Sequence, residues 1–98
     1  MRTHFNNAFL EDSTETLRAI AHPIRIAMID ILFKKKEMNV TDIFEYLEID
    51  QAVASHHLRI LKNQNVVNVR RDGKNSFYSL TDEDFHTIIT VLTTVKSK

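Results

Sequence analysis

The 98-residue chain has no cysteine, one glycine and one proline. Without cysteine there are no disulfides, thiolate metal sites, thiol switches or cysteine nucleophiles, so core packing or association must stabilise the fold. So little glycine and proline argues against a sandwich or barrel, whose many turns use both, and favours a mostly helical chain. No apolar run approaches the roughly 20 residues of a membrane span. Arg25, Asp30 and Lys34 interrupt or close the greasiest stretch, residues 24–33. The opening residues carry no apolar core or cleavage site of a secretory signal, and a cytoplasmic location is expected. One small domain, residues 1–98, is expected at this length.

An excess of charge is also missing, since 13 Lys and Arg balance 13 Asp and Glu. The charges are nevertheless unevenly placed. Residues 1–50 hold six Lys or Arg and nine Asp or Glu, a balance of −3, and residues 51–98 hold seven and four, a balance of +3. Within 51–80, Arg59, Lys62, Arg70, Arg71 and Lys74 face Asp72 alone. Phosphate binding responds to local charge, so this segment is where a polyanion would be met.

Near the start, Phe5, Phe9 and Leu10 stand at helical spacing, and Ser13 either caps a following turn or lies within one helix running to Ile20. Pro23 suits the first turn of a second helix, to about Lys35, because its missing N–H has no partner there anyway. Ile24, Ile26, Ala27, Met28, Ile29, Ile31, Leu32 and Phe33 cover nearly its whole circumference, which marks a central, buried helix. Lys34, Lys35 and Lys36 at its end read as a solvated terminus favoured by the helix dipole. Thr41 is the expected N-cap of a short third helix over residues 42–48, and Asp50 that of a fourth, Gln51 to Asn63.

Two short helices about three residues apart, the second basic and polar on one side, have the shape of a helix-turn-helix. In the fourth helix Ala54, Leu58 and Leu61 form the inward stripe, supported by Val53 and His57. Gln51, Ser55, His56, Arg59 and Lys62 fall opposite, with side chains able to read base edges and phosphates in a major groove. Two strands follow, residues 66–71 and 76–80, joined around Asp72-Gly73-Lys74-Asn75, where the lone glycine supplies positive φ. This is a basic wing, with Arg71 and Lys74 near its tip to meet phosphates. Thr81 is expected to cap a last helix reaching about Val95, with Asp82, Glu83 and Asp84 at its start. Its stripe of Phe85, Ile88, Ile89, Leu92 and Val95 can be buried only in part against so small a body, and the remainder, with Phe5 and Phe9, points to dimerisation, with Phe5, Phe9, Phe85, Ile88, Ile89 and Leu92 as the expected contact. The expected fold is thus mainly α with a small β-hairpin, a winged helix-turn-helix in the order α-α-α-α-β-β-α.

Three segments resemble the ArsR/SmtB family of winged-helix transcriptional repressors. Leu17-Arg18-Ala19-Ile20-Ala21-His22-Pro23-Ile24-Arg25 is similar to the family's entry into the second helix. Residues 51–61, with Ser55-His56-His57-Leu58, resemble its recognition helix, and Arg70 to Lys74 with Phe77 to Leu80 its wing. The resemblance implies a homodimer formed through the first and last helices, which binds an imperfect inverted-repeat DNA operator as a repressor and is released by an inducer. Ala52 and Val53 stand where relatives often carry Ser or Thr. Glu48 and Asn65 stand at turn positions where the family commonly has glycine; Asn tolerates positive φ, but Glu there is expected either to be strained by ~1 kcal/mol or to signal a different turn.

Many members sense metals, but here the familiar ligand positions are occupied by other residues. At the start of the third helix they are Asn39 and Thr41; in the last helix they are Asp82, Asp84, Val95 and Lys98, or, slipped by two, Asp84, His86 and Ser97. Neither set is complete for zinc, so no cofactor or metal is expected; the alternative is a metal-responsive repressor with an atypical His and carboxylate site. His57 is expected to be a hydrogen-bonded structural residue, His22 a packing or capping one, and His4 and His86 lack ligand partners nearby in sequence. No glycine-rich phosphate loop, nucleophile motif or paired carboxylate arrangement favours an enzyme.

Overall fold

Pro23 opens a helix, as its fixed φ and missing N–H favour. In the computed structural model, which describes residues 1–98, the chain runs α1 (Asn7–Ile20), α2 (Pro23–Lys35), β1 (Met38–Asn39), α3 (Val40–Leu47), α4 (Gln51–Asn63), β2 (Val67–Asp72), β3 (Asn75–Leu80) and α5 (Asp84–Lys96). This is the expected winged helix-turn-helix order with one strand added. The extra strand, β1, pairs with β3 through Met38↔Tyr78 and Asn39↔Phe77, giving an antiparallel sheet in the order β1-β3-β2.

The helix ends follow local chemistry, not always at the residues expected. Asn6 Oδ1 accepts from the N–H groups of Ala8 and Phe9, so α1 is one helix with Ser13 inside it. His22 caps α2, its Nδ1 accepting from Ile24 N–H at 3.1 Å. Asn39, not Thr41, caps α3: its Oδ1 takes the Asp42 N–H at 2.7 Å. Asn39 leaves β1 already extended, the backbone an N-cap needs, whereas Thr41 lies inside the first turn. Asp50 stands at the N-cap position of α4 but makes no side-chain cap bond. Thr81 does not cap α5 either. Its hydroxyl donates to Asn65 O at 2.7 Å and Val66 O at 3.1 Å, tying the end of the hairpin to its beginning, and Asp82 Oδ1 accepts from Asp84 N–H instead.

Left-handed backbone occurs at Lys36, Glu48, Asn65 and Gly73. Glu48 (φ 56°) and Asn65 (φ 57°) both adopt the left-handed conformation, so of the two outcomes expected at Glu48 the strained left-handed turn is the one present. At Lys36 (φ 72°, ψ −52°) the Glu37 N–H returns to Lys35 O at 2.9 Å, a three-residue turn that is strained for any residue with a Cβ.

The core gathers Met28, Ile29, Ile31 and Leu32 of α2, Ile43 of α3, Ala54, Leu58 and Leu61 of α4, Val66 and Val67, with Ile20, Met38 and Ile89 at its margins. Each fully buried large aliphatic side chain contributes about 1.5–3 kcal/mol. α2 is the central helix, as its apolar circumference requires. The Cα radius of gyration, 14.6 Å, exceeds the ~13 Å of a closed globule of this size. The excess fits the terminal helices, where α1 buries only Ala19 and Ile20, and α5 only Ile89.

Candidate nucleic-acid interface

α4 is seated by one face. Ala54, His57, Leu58 and Leu61 are buried, which is the expected stripe with His57 leaning inward, while Val53 is 36% exposed on the shoulder of the stripe. Gln51, His56, Arg59 and Lys62 are exposed and Ser55 is half-buried, so the five candidate readers share the outer side. The centre of that side is Ala52, His56, Arg59 and Asn63, at i, i+4, i+7 and i+11. Asn63 was not singled out from the sequence, although the helical period identifies it.

Intramolecular partners separate the cations into two kinds. The ion pairs of the chain are Arg18–Glu15, Lys34–Asp30, Lys36–Glu83, Arg70–Glu37, Arg70–Asp72 and His86–Asp30. None engages Arg59, Lys62 or Lys74. Two of the three lysines ending α2 are held internally, in line with a helix terminus, and Lys36 also lies 4.9 Å from the Phe33 ring.

The wing is a two-residue hairpin closed by the Asp72↔Asn75 pair, with Gly73 and Lys74 at its tip. Gly73 has φ +61°, and no atom lies within 4 Å of where a Cβ would stand, so glycine is required by backbone conformation and not by space. Lys74 projects free, and Arg71 Nη1 donates to Ser76 Oγ at 3.0 Å. Arg70 is committed: Nη2 and Nε donate to the two carboxylate oxygens of Glu37 at 2.8 and 3.2 Å, and its guanidinium lies 4.7 Å from the Phe77 ring centre. The Arg70 hydrogen bond holds the Glu37 carboxyl below its ordinary pKa.

The residues expected at a dimer contact divide. Phe5, Phe9, Ile88 and Leu92 are between 44% and 56% exposed. Ile89 belongs to the core of the single chain and Phe85 packs against it, because the stripe of α5 is wide enough to serve two directions. Val95 of the same stripe is exposed too, and Leu17 and Val91 join the uncovered set; of the exposed large hydrophobics only Tyr46 and Val53 lie outside the terminal segments. A groove between α1 and α5 is lined by Leu17, Ile20 and Ile88 with Asp12, Ser13 and Thr16.

Two histidine expectations change. His57 is buried, yet its Nδ1 finds no hydrogen-bond partner; it lies with its ring centre 4.4 Å from that of His22. Burial first, then the charges of His22, Arg25 and His56, lower its pKa below the ordinary 6.5. His86, without a partner in local sequence, meets Asp30 of α2 through Nε2 at 2.9 Å and stacks on Phe33 at 3.9 Å. Burial opposes ionisation of Asp30, but Lys34 and His86 outweigh it and its pKa is lowered.

The side chains at the family's metal positions do not fit a metal. Asn39 spends its amide oxygen on the helix cap, Thr41 is exposed, and Val95, Ser97 and Lys98 offer neither imidazole nor carboxylate to join Asp84 and the already engaged His86. No group of three His, Cys, Asp or Glu side chains is gathered within the chain. No helix is long and apolar enough to cross a membrane.

A recognition-type helix followed by a basic two-residue hairpin defines a winged helix-turn-helix protein. Residues 22–69 match the family described as bacterial regulatory protein, arsR family. The transcriptional repressor PagR of Bacillus anthracis is 33% identical over 89% of this chain and 87% of its own, and its crystal structure superposes with a TM-score of 0.79. A cadmium resistance transcriptional regulatory protein, the CadC homolog of Staphylococcus aureus, is 36% identical over 74% of this chain, which spans 60% of that protein. The solution structure of the homodimeric winged helix-turn-helix domain of Mb0332 from Mycobacterium bovis matches 98% of this chain and 91% of that one, with a TM-score of 0.81 and 23% identity, a likeness of fold. The chain belongs to the ArsR/SmtB family of winged helix-turn-helix transcriptional regulators.

Proposed function

We propose that the protein is a homodimeric, sequence-specific repressor that places α4 of each copy in successive major grooves of an inverted-repeat operator. The observation that carries this is the outer side of α4, where Gln51, His56, Arg59 and Lys62 are exposed and outside every internal ion pair. Such groups are solvated at little cost in the free protein and are available to base edges and phosphates. Lys74 and Arg71 reach flanking phosphates from the wing. The α1/α5 face supplies the dimer contact: Phe5, Phe9, Leu17, Ile88, Val91, Leu92 and Val95 are each 44–58% exposed, and exposed large apolar side chains concentrated on the terminal segments are what a partner copy would cover. The homodimeric likeness in fold supports the same arrangement.

In this reading the protein acts in the cytoplasm, needs no resident metal and performs no catalysis; its inducer, if it has one, is not encoded in the family's metal positions. Selection of bound sites from random DNA by the purified protein tests the core of it. Recovery of a dyad-symmetric site with half-sites about one helical turn apart is expected. Recovery of no common sequence, or binding indifferent to salt, would overturn it. Addition of zinc or cadmium to the operator complex is expected to leave affinity unchanged, and release by either metal would restore the metal-sensing alternative.

A further inference from the structure

We propose that Arg70 is a positioning residue that sets the direction of the wing relative to α4, acting through Glu37 and Phe77 and not through DNA. The idea rests on the wing's proposed contact with DNA. β2 is an edge strand and is paired only with β3. Arg70 on β2 stands opposite Phe77 on β3, and Phe77 stands opposite Asn39 on β1. The Arg70 side chain crosses the Phe77 ring and ends on Glu37, the residue next to β1 in the chain, so one side chain links β2 across β3 to the segment that leads into β1.

Its grip is directional. Two bonds, from Nε and Nη2 to the two oxygens of one carboxylate, fix the guanidinium plane, which a lysine ammonium cannot reproduce. The anchor is itself held: Glu37 follows the strained turn at Lys36, and Lys36 Nζ reaches the other way to Glu83 Oε1, at the entry to α5, at 3.2 Å. Adjacent residues of one corner thus hold the start of α5 and the stem of the wing. Arg70 also has Asp72 at 3.9 Å, so its charge is already met by two carboxylates. Lys74, by contrast, has none and, with Arg71, remains available for phosphate.

Charge-conserving and charge-raising variants of the full chain separate positioning from phosphate contact. Arg70→Lys keeps the cation but loses the fork, and Glu37→Gln removes a negative charge beside the wing. Simple attraction to a polyanion expects no loss from the first and tighter binding from the second. Positioning expects both to weaken binding to the selected operator by about twofold to fivefold, within the range of an exposed ion pair. It also expects an unchanged salt slope, faster amide hydrogen exchange across residues 71–76 without DNA, and recovery of at least half the loss in Glu37→Arg with Arg70→Glu. Operator binding by Glu37→Gln as tight as wild type, with unchanged exchange in the wing, would overturn the proposal. Lys74→Ala distinguishes the two readings, since it should lower the salt slope by about one unit while leaving exchange at the stem unaltered. If the wild-type protein selects no operator and Lys74→Ala leaves the slope unmoved, the DNA reading has failed, and the exchange measurement alone still decides whether Arg70 holds the wing.

Discussion

α2 and α5 are both 13 residues long and both rich in isoleucine, leucine and other apolar side chains, yet they are used in opposite ways. α2 buries Met28, Ile29, Ile31 and Leu32 and leaves no large apolar side chain fully open; α5 buries Ile89 and leaves Ile88, Val91, Leu92 and Val95 exposed. The difference lies in what surrounds them. α2 is packed by helices and sheet on several sides, whereas α5 touches the body along one side. Apolar composition alone therefore does not say whether a helix is core or contact surface; the number of elements available to cover it does.

The comparison is broken most directly from the closed side. Leu32→Ala opens a cavity where α2 is fully enclosed and is expected to cost about 2–5 kcal/mol in denaturant unfolding. Leu92→Ala, on a face open in the single chain, should change stability by no more than about 0.5 kcal/mol when unfolding is measured at concentrations low enough to keep the chain monomeric. Equal losses from the two would remove the distinction between the helices.

The open side is broken by charge. Ile88→Glu with Leu92→Glu should halve the sedimenting mass and abolish tight operator binding, with helical content retained. Ile89 is the wrong target for such a test, because it lies in the core of one chain and its replacement would damage the fold first. An unchanged mass for the double variant would show that the partner copy sits elsewhere.

α4 combines both characters, with a stripe seated in the core and an outer side without internal partners. Ser55→Ala with Arg59→Ala should leave thermal unfolding within about 0.5 kcal/mol of wild type, while each lost base contact costs about 1–3 kcal/mol of operator preference. Full preference retained in that variant would remove α4 as the reader.

How much of this was legible in the chain follows from the range of the interactions. The helices, the Gly73 turn and the two sides of α4 rest on neighbours three or four residues apart or on a two-residue loop, and periodicity and turn chemistry reveal them. β1 is two residues long and exists because β3 lies beside it, so no local pattern announced it. The α3 cap falls on Asn39 and not on the expected Thr41, and Thr81 does not cap α5, for the same reason: Asn39 is set by that pairing, and the Thr81 hydroxyl is drawn to carbonyls 15 and 16 residues away. Glu37–Arg70 and Asp30–His86 join residues 33 and 56 apart, where charge counting cannot choose partners. The α5 stripe was legible as apolar, but its division between Ile89 inward and Ile88 and Leu92 outward needed the position of the body.

The smallest effect sharpens the closed side at its one polar member. His57 carries an unpartnered Nδ1 in the seat of α4, beside His22 and Arg25, and its pKa is lowered by burial and then by those neighbouring charges. The unfolded chain lacks both influences, so it takes up a proton at about 6.5 while the folded chain still resists. The folded state then binds fewer protons, and by linkage its stability is fully present above 6.5 and declines as pH falls through that value toward the folded pKa. His57→Leu removes the titrating group while keeping an apolar side chain in place. Its unfolding free energy, measured at a series of pH values from 8 down to 5, should therefore fall less steeply below 6.5 than that of wild type. The same slope in both proteins would mean that acid acts through the exposed histidines, and that α4 is seated without regard to the charge of its buried imidazole.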